Sequence, residues 1–202
     1  MEEGKKLPLV EEFYTIQGEG YQAGKAAYFI RIGGCDIGCS WCDTKFSWDP
    51  DLYPLVETDR IILNARETKA KSVVITGGEP LMYNLDYICR ELKKHDIKTF
   101  LETSGAYPLS GKWDWICLSP KQNSPPLKGI FEIADELKVI IQTQDDFHWA
   151  EKNAANVGAN CRLYLQPEWS KYERMLAGII NYVKEHPHWQ VSIQAHKFMH
   201  IP

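Results

Sequence analysis

Residues 27–42 read Ala27-Tyr28-Phe29-Ile30-Arg31-Ile32-Gly33-Gly34-Cys35-Asp36-Ile37-Gly38-Cys39-Ser40-Trp41-Cys42. The first six residues are apolar apart from Arg31, and two glycines follow them. This pattern predicts a buried β-strand that ends near residue 32. Three cysteines come next, with three residues between the first two and two residues between the last two. The stretch therefore predicts a strand that leads directly into a cysteine loop.

Three cysteines this close together indicate a metal centre. Iron–sulfur clusters are held by thiolates, usually four of them, so Cys35, Cys39 and Cys42 could bind three irons of a [4Fe–4S] cluster and leave one iron open. An open iron can chelate a substrate or a cofactor. A structural zinc site is the alternative, but it normally needs four ligands. The other cysteines stand singly and are expected to be small core residues: Cys89, Cys117 and Cys161.

Six further apolar segments are also predicted as strands. They are residues 72–76, 99–103, 115–118, 137–141, 162–165 and 191–194. Helical patterns separate several of them, at residues 60–69, 84–95, from about 145, and 170–185. Near-continuous apolar strands that alternate with helices indicate a parallel sheet buried on both faces. Because seven strands are too few for a closed eight-fold barrel, the sequence predicts an α/β fold, an incomplete TIM-type βα barrel with the cysteine loop after its first strand.

Polar and glycine-rich motifs follow the predicted strands where each one ends. They are Gly77-Gly78-Glu79-Pro80, Glu102-Thr103-Ser104-Gly105, Ser119-Pro120-Lys121, Gln166-Pro167-Glu168 and Ala195-His196-Lys197. Active sites in parallel α/β folds are built at the carboxyl ends of the strands. We therefore expect these motifs and the cysteine loop to meet at one mouth of the sheet.

The composition predicts one globular domain. The chain has 202 residues, 44% of them hydrophobic and 25% charged. We assign residues 1–202 to a single domain, with residues 1–26 as an N-terminal cap that carries a substrate loop. A formal charge of −4 offers no basic surface for nucleic acid. No apolar run approaches a membrane span, and residues 1–4 are not typical of a secretory signal, so we expect no membrane partner and a cytoplasmic location with reduced thiols.

The cysteine motif, together with a strand that ends in Gly77-Gly78-Glu79-Pro80, resembles the radical S-adenosylmethionine (SAM) superfamily. The resemblance implies that Cys35, Cys39 and Cys42 bind a [4Fe–4S] cluster whose open iron chelates the methionine part of SAM. It also implies that the Gly-Gly-Glu-Pro motif lies against that part of SAM, and that Trp41 lies beside the adenine.

Further motifs are similar to those of the 7-carboxy-7-deazaguanine synthases. They are Phe13-Tyr14-Thr15-Ile16-Gln17-Gly18-Glu19-Gly20, Arg31, Cys42-Asp43-Thr44 and Gln194-Ala195-His196-Lys197, with Pro202 at the end. This resemblance covers residues 11–202. It implies a lyase that converts 6-carboxy-5,6,7,8-tetrahydropterin to 7-carboxy-7-deazaguanine with release of ammonia, for queuosine and related 7-deazapurines. It further implies Mg²⁺, a homodimer, an electron donor such as flavodoxin or ferredoxin, and a radical that takes hydrogen from C6 of the pterin.

The resemblance also implies a role for individual residues. The SAM-binding set is Trp41, Asp43, Gly78, Glu79, Ser104, Ser119, Pro120, Lys121 and Gln166. The substrate-binding set is Ile16, Gln17, Gly18, Arg31, Thr76 and Pro202. Thr44 is the implied magnesium ligand.

Two of these roles have a chemical reason in the residue type. The Glu79 carboxylate can accept hydrogen bonds from the ammonium group of SAM. Arg31 is the one charged residue of its strand, and a guanidinium can hold the substrate carboxylate with two parallel hydrogen bonds. By resemblance, the Gln17-Gly18 loop and a terminal carboxylate at Pro202 would accept hydrogen bonds from the opposite, donor edge of the pterin.

Two other functions fit the cysteine motif. A glycyl-radical activase would share the three cysteines but act on a partner protein, and it gives no reason for Thr15-Ile16-Gln17-Gly18-Glu19-Gly20. A non-catalytic iron–sulfur or zinc-binding module would not cleave SAM at all. Turnover of the pterin by the isolated chain separates the synthase from the first alternative. SAM cleavage under reducing conditions excludes the second.

Overall fold

The computed structural model describes residues 4–202. Residues 1–3, the start of the predicted N-terminal cap, lie outside the described residues. The strands of this part of the chain are Lys6–Ile16 (β1), Ala26–Ile32 (β2), Leu55–Glu57 (β3), Ser72–Gly77 (β4), Lys98–Thr103 (β5), Trp115–Leu118 (β6), Glu136–Ile141 (β7), Arg162–Pro167 (β8) and Trp189–Val191 (β9). Its α-helices are Thr58–Arg66 (α1), Asp86–Lys93 (α2), Lys128–Phe131 (α3), Asp145–Ala154 (α4), Tyr172–Glu185 (α5) and Ala195–Met199 (α6).

The strands form one open sheet in the order β3-β1-β2-β4-β5-β6-β7-β8-β9. Strands β2, β4, β5, β6, β7, β8 and β9 are parallel to one another, whereas β1 is antiparallel to both β2 and β3. Because β3 and β9 end the sheet at opposite sides, the barrel does not close. The predicted incomplete βα barrel is confirmed, and its parallel strands lie at or close to the seven predicted segments.

The sheet has nine strands in the described chain, rather than the seven predicted. Strand β1 contains both apolar and charged residues, and only part of each of its faces is buried. Its sequence therefore lacks the regular alternation by which a strand is predicted. Strand β3 is only three residues long. The predicted last strand, residues 191–194, is displaced to Trp189–Val191. The chain turns away at Ser192, whose hydroxyl donates to the side chain of Gln166 at 2.6 Å.

The antiparallel pair β1–β2 contains a β-bulge. Leu9 lies opposite Ile32, but Glu11 lies opposite Arg31, so Val10 is an extra residue on β1. A one-residue bulge turns the side chains that follow it to the other face of the strand. The cavity-facing side chains of β1 are therefore set by this bulge.

Helices on the outer face of the sheet cover a continuous apolar core. Helix α2, for example, buries Ile88, Cys89 and Leu92 against the sheet. Full burial of a leucine or isoleucine contributes about 1.5–3 kcal/mol. Cys89 and Cys117 are buried, as predicted for core cysteines, while Cys161 is only partly buried. Among residues 4–202, the helices lack the length and apolar character needed to cross a bilayer.

Candidate active site

The carboxyl ends of the parallel strands open into a cavity of about 450 Å³. All three cysteines of the loop, Cys35, Cys39 and Cys42, line it. So do the other predicted site residues Ile16, Gln17, Gly18, Arg31, Trp41, Asp43, Thr44, Thr76, Gly78, Glu79, Ser104, Ser119, Lys121, Gln166 and Pro202. Pro120 is the exception, because it lines a neighbouring cavity of about 370 Å³ that shares Cys39 and Trp41 with the first.

Backbone hydrogen bonds hold the cysteine loop in place. The Cys35 N–H donates to the Trp48 carbonyl at 3.0 Å, and the Cys42 N–H donates to the Cys39 carbonyl at 3.1 Å. Burial raises the pKa of the Cys35 and Cys39 thiols above the usual value. Because metal ligation requires thiolates, binding of a metal centre here releases protons.

The arrangement of the thiols fits an iron–sulfur cluster better than a single metal ion. Within residues 4–202, no three His, Cys, Asp or Glu side chains are close enough to hold one ion. Such convergence is unnecessary for a cluster, because each thiolate binds a different iron. Cys35, Cys39 and Cys42 are the cysteines of the described residues that line this cavity, and three thiols are the donor set that a cluster with one open iron would need.

The Gly-Gly-Glu-Pro motif after β4 contacts the cysteine loop directly. The Gly78 N–H donates to the Ile32 carbonyl at 2.9 Å, and the Glu79 N–H donates to the Gly34 carbonyl at 2.8 Å. A Cβ on Gly78 would lie only 2.1 Å from the Gly34 oxygen and 2.9 Å from Cys35 Cβ. Glycine is therefore required here for the close approach of the two segments.

The Glu79 carboxylate links the ends of β4 and β5. It is 2% exposed. It accepts hydrogen bonds from the Thr103 hydroxyl at 2.6 Å, from both the N–H and the hydroxyl of Ser104, and from the Leu81 N–H at 3.0 Å. These bonds occupy the roughly four acceptor positions of a carboxylate. Contact with the ammonium group of SAM would have to replace one of them, and it stays a prediction.

The remaining predicted SAM-binding residues lie further round the same edge. The Lys121 ammonium donates to the carbonyl and the hydroxyl of Ser119, and it lies 5.7 Å from the centre of the Trp41 ring. Burial lowers the pKa of Lys121. The Gln166 side chain is buried and accepts a hydrogen bond from Ser192.

A buried charge network that was not predicted from the sequence forms the floor of the cavity. The Lys138 ammonium lies 2.6 Å from a Glu19 oxygen and 2.9 Å from a Glu102 oxygen. Burial opposes ionisation of Glu19, but Lys138 outweighs that effect and lowers its pKa to about 2. The signal was present in the sequence, since Lys138 is the only charged residue in the predicted strand segment 137–141, just as Arg31 is in its strand.

Asp43 joins the cysteine loop to the C-terminal segment. Its carboxylate accepts hydrogen bonds from Lys197 at 2.7 Å and from Gln194 at 3.2 Å. Burial disfavours the charged form of Asp43, but the Lys197 ammonium outweighs this and lowers the pKa. The Gln194 amide also donates to Glu19 at 2.9 Å, so one side chain links the N-terminal loop to the cysteine loop. Neither Lys197 nor Gln194 was predicted as a site residue.

The predicted substrate residues lie together at the side of the cavity formed by β1 and β2. Arg31 is paired across the sheet with Thr76, and its Nε–H donates to Glu11 at 2.7 Å. The Gly18 carbonyl accepts from the Ala195 N–H at 2.9 Å. The Pro202 carbonyl accepts a hydrogen bond from the Thr15 hydroxyl at 3.3 Å. The N-terminal and C-terminal segments therefore meet at the cavity.

Comparison with known proteins agrees with this geometry. Residues 29–143 match the family model of the Radical SAM superfamily. The 7-carboxy-7-deazaguanine synthase of Flavobacterium psychrophilum is 54% identical over all of this chain and 96% of its own length. That of a Synechocystis species is 45% identical over 96% of this chain and 93% of its own length.

A solved structure matches as well. The crystal structure of QueE from Escherichia coli superposes with a TM-score of 0.84 at 28% sequence identity, and the match covers 96% of each chain. With full-length similarity to two synthases and the cysteine and Gly-Gly-Glu-Pro motifs at one cavity, the chain belongs to the 7-carboxy-7-deazaguanine synthase family of the radical SAM superfamily.

Proposed function

We propose that this chain converts 6-carboxy-5,6,7,8-tetrahydropterin to 7-carboxy-7-deazaguanine with release of ammonia, in the biosynthesis of queuosine and related 7-deazapurines. The observation that carries this proposal is that one cavity is lined by the three cysteines, by Gly77, Gly78 and Glu79 of the Gly-Gly-Glu-Pro motif, and by a polar wall with one arginine. A protein activase would need access for a polypeptide, whereas a cavity of about 450 Å³ is of the size that holds small molecules.

The residues present fit the cofactors of the superfamily. Cys35, Cys39 and Cys42 would hold the [4Fe–4S] cluster, and the surface made by Gly78 and the other SAM-binding residues named above would hold SAM. When bound, the cluster and SAM together supply the radical chemistry that removes a hydrogen atom from the substrate. The protein positions both molecules and excludes competing reactions.

The chain's own residues orient the substrate. The Arg31 guanidinium would bind the substrate carboxylate, with Thr76 and Ile16 beside it. The Gln17-Gly18 segment and a terminal carboxylate at Pro202 would accept hydrogen bonds from the donor edge of the pterin. The contacts of Thr15 with Pro202 and of Gly18 with Ala195 support this arrangement, because they bring both acceptors to the same side of the cavity.

Thr44 is the proposed magnesium ligand. Its hydroxyl lies 3.4 Å from Cys42 Sγ and lines the cavity. A lone hydroxyl is a poor magnesium site by itself, but magnesium keeps several waters and shares oxygens with its substrate, which would complete the coordination. Thr44→Ala should lower turnover and weaken its dependence on magnesium. An unchanged magnesium response would place the ion elsewhere.

Three further parts of the proposal concern the whole chain. We infer a homodimer and an electron donor such as flavodoxin or ferredoxin from membership of the family. A cytoplasmic location is supported by six cysteines, none of which is paired in a disulfide in the described chain. Assignment of residues 1–202 to one domain is supported by the contact between Gly18 and Ala195, which joins the two ends of the chain.

The proposal is tested by anaerobic reconstitution of the purified chain, followed by assay with SAM and a reductant, with and without the pterin. We expect 7-carboxy-7-deazaguanine only when the pterin is present. Alanine variants of Cys35, Cys39 or Cys42 should lose the cluster and turnover, whereas Cys89→Ala should keep the cluster. An active, iron-replete variant of the three loop cysteines would refute the cluster assignment. Cleavage of SAM without turnover of the pterin would show that the pterin is not the substrate.

A further inference from the structure

One edge of the Arg31 guanidinium is held by the protein itself. Its Nε–H donates to Glu11 Oε1 at 2.7 Å, and the two side chains are 18% and 43% exposed, respectively. The Phe46 ring lies 6.0 Å from the guanidinium carbon. The two terminal nitrogens of Arg31 make no hydrogen bond to residues 4–202. The guanidinium therefore keeps its terminal donors for a ligand in the cavity that it lines.

Glu11 faces Arg31 only because of the bulge at Val10. Upstream of the bulge, Leu9 is opposite Ile32, whose side chain is buried in the core on the far face of the sheet. With regular alternation, Glu11 would lie on the same face as Leu9. The extra residue turns Glu11 to the cavity side, directly opposite Arg31. Bulges commonly re-aim side chains beside active sites.

The neighbouring residues follow the same shifted alternation. Phe13, two residues after Glu11, stacks on Phe29 with a ring-centre distance of 5.5 Å, and both rings line the cavity. Glu12 faces the opposite way, where it accepts a hydrogen bond from Asn64 of α1 at 2.5 Å. Because of the bulge, Glu11 faces the cavity and the adjacent Glu12 faces the helix layer.

We propose that Glu11 is a positioning residue, which fixes the Arg31 guanidinium through its Nε–H so that the two terminal nitrogens form an end-on fork for the substrate carboxylate. This inference rests on the carboxylate-binding role proposed for Arg31. A guanidinium can bind a carboxylate through either edge of its planar fork. With the Nε edge occupied by Glu11, only the end-on edge remains, and less side-chain freedom is lost when the substrate binds.

Calorimetric binding to the cluster-loaded, SAM-containing protein tests this role with two probes. The probes are 6-carboxypterin and the same pterin without its carboxylate. Glu11→Ala should weaken binding of 6-carboxypterin about three- to ten-fold, the range expected when one long side chain must be newly ordered. It should leave binding of the unsubstituted pterin unchanged. In turnover, KM should rise by a similar factor while kcat stays constant, as expected when ground-state and transition-state binding are weakened equally.

Matched variants distinguish an effect on the orientation of the Arg31 guanidinium from an effect of the Glu11 charge and from a general loss of stability. Glu11→Gln keeps an acceptor for the Nε–H and should recover most of the affinity. Glu57→Ala removes the Lys6–Glu57 ion pair, which spans 2.8 Å elsewhere on the same sheet, and should not change binding of either pterin. In an Arg31→Ala background, Glu11→Ala should have no further effect, because the two residues act as a unit.

The outcomes distinguish this inference from the function on which it rests. If Arg31→Ala removes the preference for the carboxylate but Glu11→Ala does not weaken it, the role of Arg31 stands and that of Glu11 is wrong. Equal losses in Glu11→Gln and Glu11→Ala would also overturn the inference, because charge rather than orientation would then matter. If the unmodified protein shows no preference for the carboxylate, the role of Arg31 itself is wrong.

Discussion

At the scale of single residues, Lys138 determines the electrostatics of the cavity floor. Burial alone would lower the pKa of Lys138, but the carboxylates of Glu102 and Glu19 outweigh burial and raise it well above the usual value. The Lys138 ammonium and the Glu19 carboxylate are therefore charged in the folded protein. Such a buried group depends on its partners, because each charge would be costly to bury alone.

Replacement of Lys138 should therefore be strongly destabilising. Lys138→Met leaves Glu19 and Glu102 without their cation, and loss of one member of a buried ion pair typically costs about 3–5 kcal/mol. Urea unfolding of the cluster-free chain measures this loss. The control is Lys94→Met, which removes an exposed ion pair with Glu91 and should leave the free energy of unfolding essentially unchanged. A loss below about 1 kcal/mol for Lys138→Met would contradict the network.

Glu136 is another buried carboxyl group, and its pKa is shifted upward. Burial raises its pKa to about 7. Its carboxylate accepts hydrogen bonds from the Tyr21 N–H and the Trp115 indole. In the unfolded chain this group ionises near its ordinary pKa of about 4.5. As the pH rises from 4.5 to 7, the unfolded state loses its proton first, so Glu136 lowers stability increasingly and its full cost is present above pH 7.

Glu136→Gln should therefore stabilise the chain more at high pH than at low pH. We expect the gain in free energy of unfolding at pH 8 to exceed the gain at pH 5 by about 2 kcal/mol, from the size of the pKa shift. Urea unfolding at both pH values measures the difference, with exposed Glu132→Gln as the control for loss of a carboxylate. The same gain at both pH values would show that Glu136 does not titrate in this range.

At the scale of structural elements, the site depends on the contact between the end of β4 and the loop after β2. Two backbone hydrogen bonds from Gly78 and Glu79 join these segments, and Gly78 leaves room for the Gly34 carbonyl. The thiols are thereby fixed relative to the strand that follows them in the sheet.

Gly78→Ala should push the end of β4 away from the loop that follows β2. The new Cβ would meet backbone atoms, which cannot move aside like a side chain, and we expect a loss of about 1–3 kcal/mol in stability and reduced iron content after reconstitution. Gly129→Ala is the matched control, because nothing lies within 4 Å of its added Cβ. Full iron content in Gly78→Ala with unchanged stability would show that the close approach is dispensable.

At the scale of the whole molecule, an open sheet is completed by contacts between the two ends of the chain. The Gly18 carbonyl meets the Ala195 N–H, and the Thr15 hydroxyl meets the Pro202 carbonyl. Sheet edges β3 and β9 remain unpaired with each other, and both Gly18 and Pro202 line the cavity. Segments near both ends of the described chain therefore contribute to the wall of the cavity, although such segments are often dispensable in other proteins.

A short tag placed after Pro202 should accordingly damage substrate binding. It would displace the proposed acceptor carboxylate, and loss of one charged hydrogen bond costs about 2–3 kcal/mol, or about a hundredfold in kcat/KM. Steady-state kinetics with the pterin measures this loss. An N-terminal tag of equal length is the control and should leave kcat/KM unchanged. Native kinetics in the C-terminally tagged enzyme would remove Pro202 from the substrate site.

The sequence by itself determined the parallel strands, their order along the chain and the edge at which the site lies. These features are local, because apolar runs, helical periods and terminal glycines act over a few neighbouring residues. They were enough to predict that the cysteine loop and the strand-end motifs meet at one cavity, and the family resemblance added the other site residues, of which only Pro120 lies outside that cavity. Family motifs, rather than periodicity, supplied the individual roles.

Only the tertiary structure decided which charged side chains meet. Asp43 and Lys197 are 154 residues apart in sequence, and Glu19 and Lys138 are 119 apart. The bulge at Val10, which turns Glu11 toward Arg31, depends on the register between β1 and β2. No local pattern encodes these contacts, because a side chain's partner across a sheet is fixed by strand register and by the closure of distant segments.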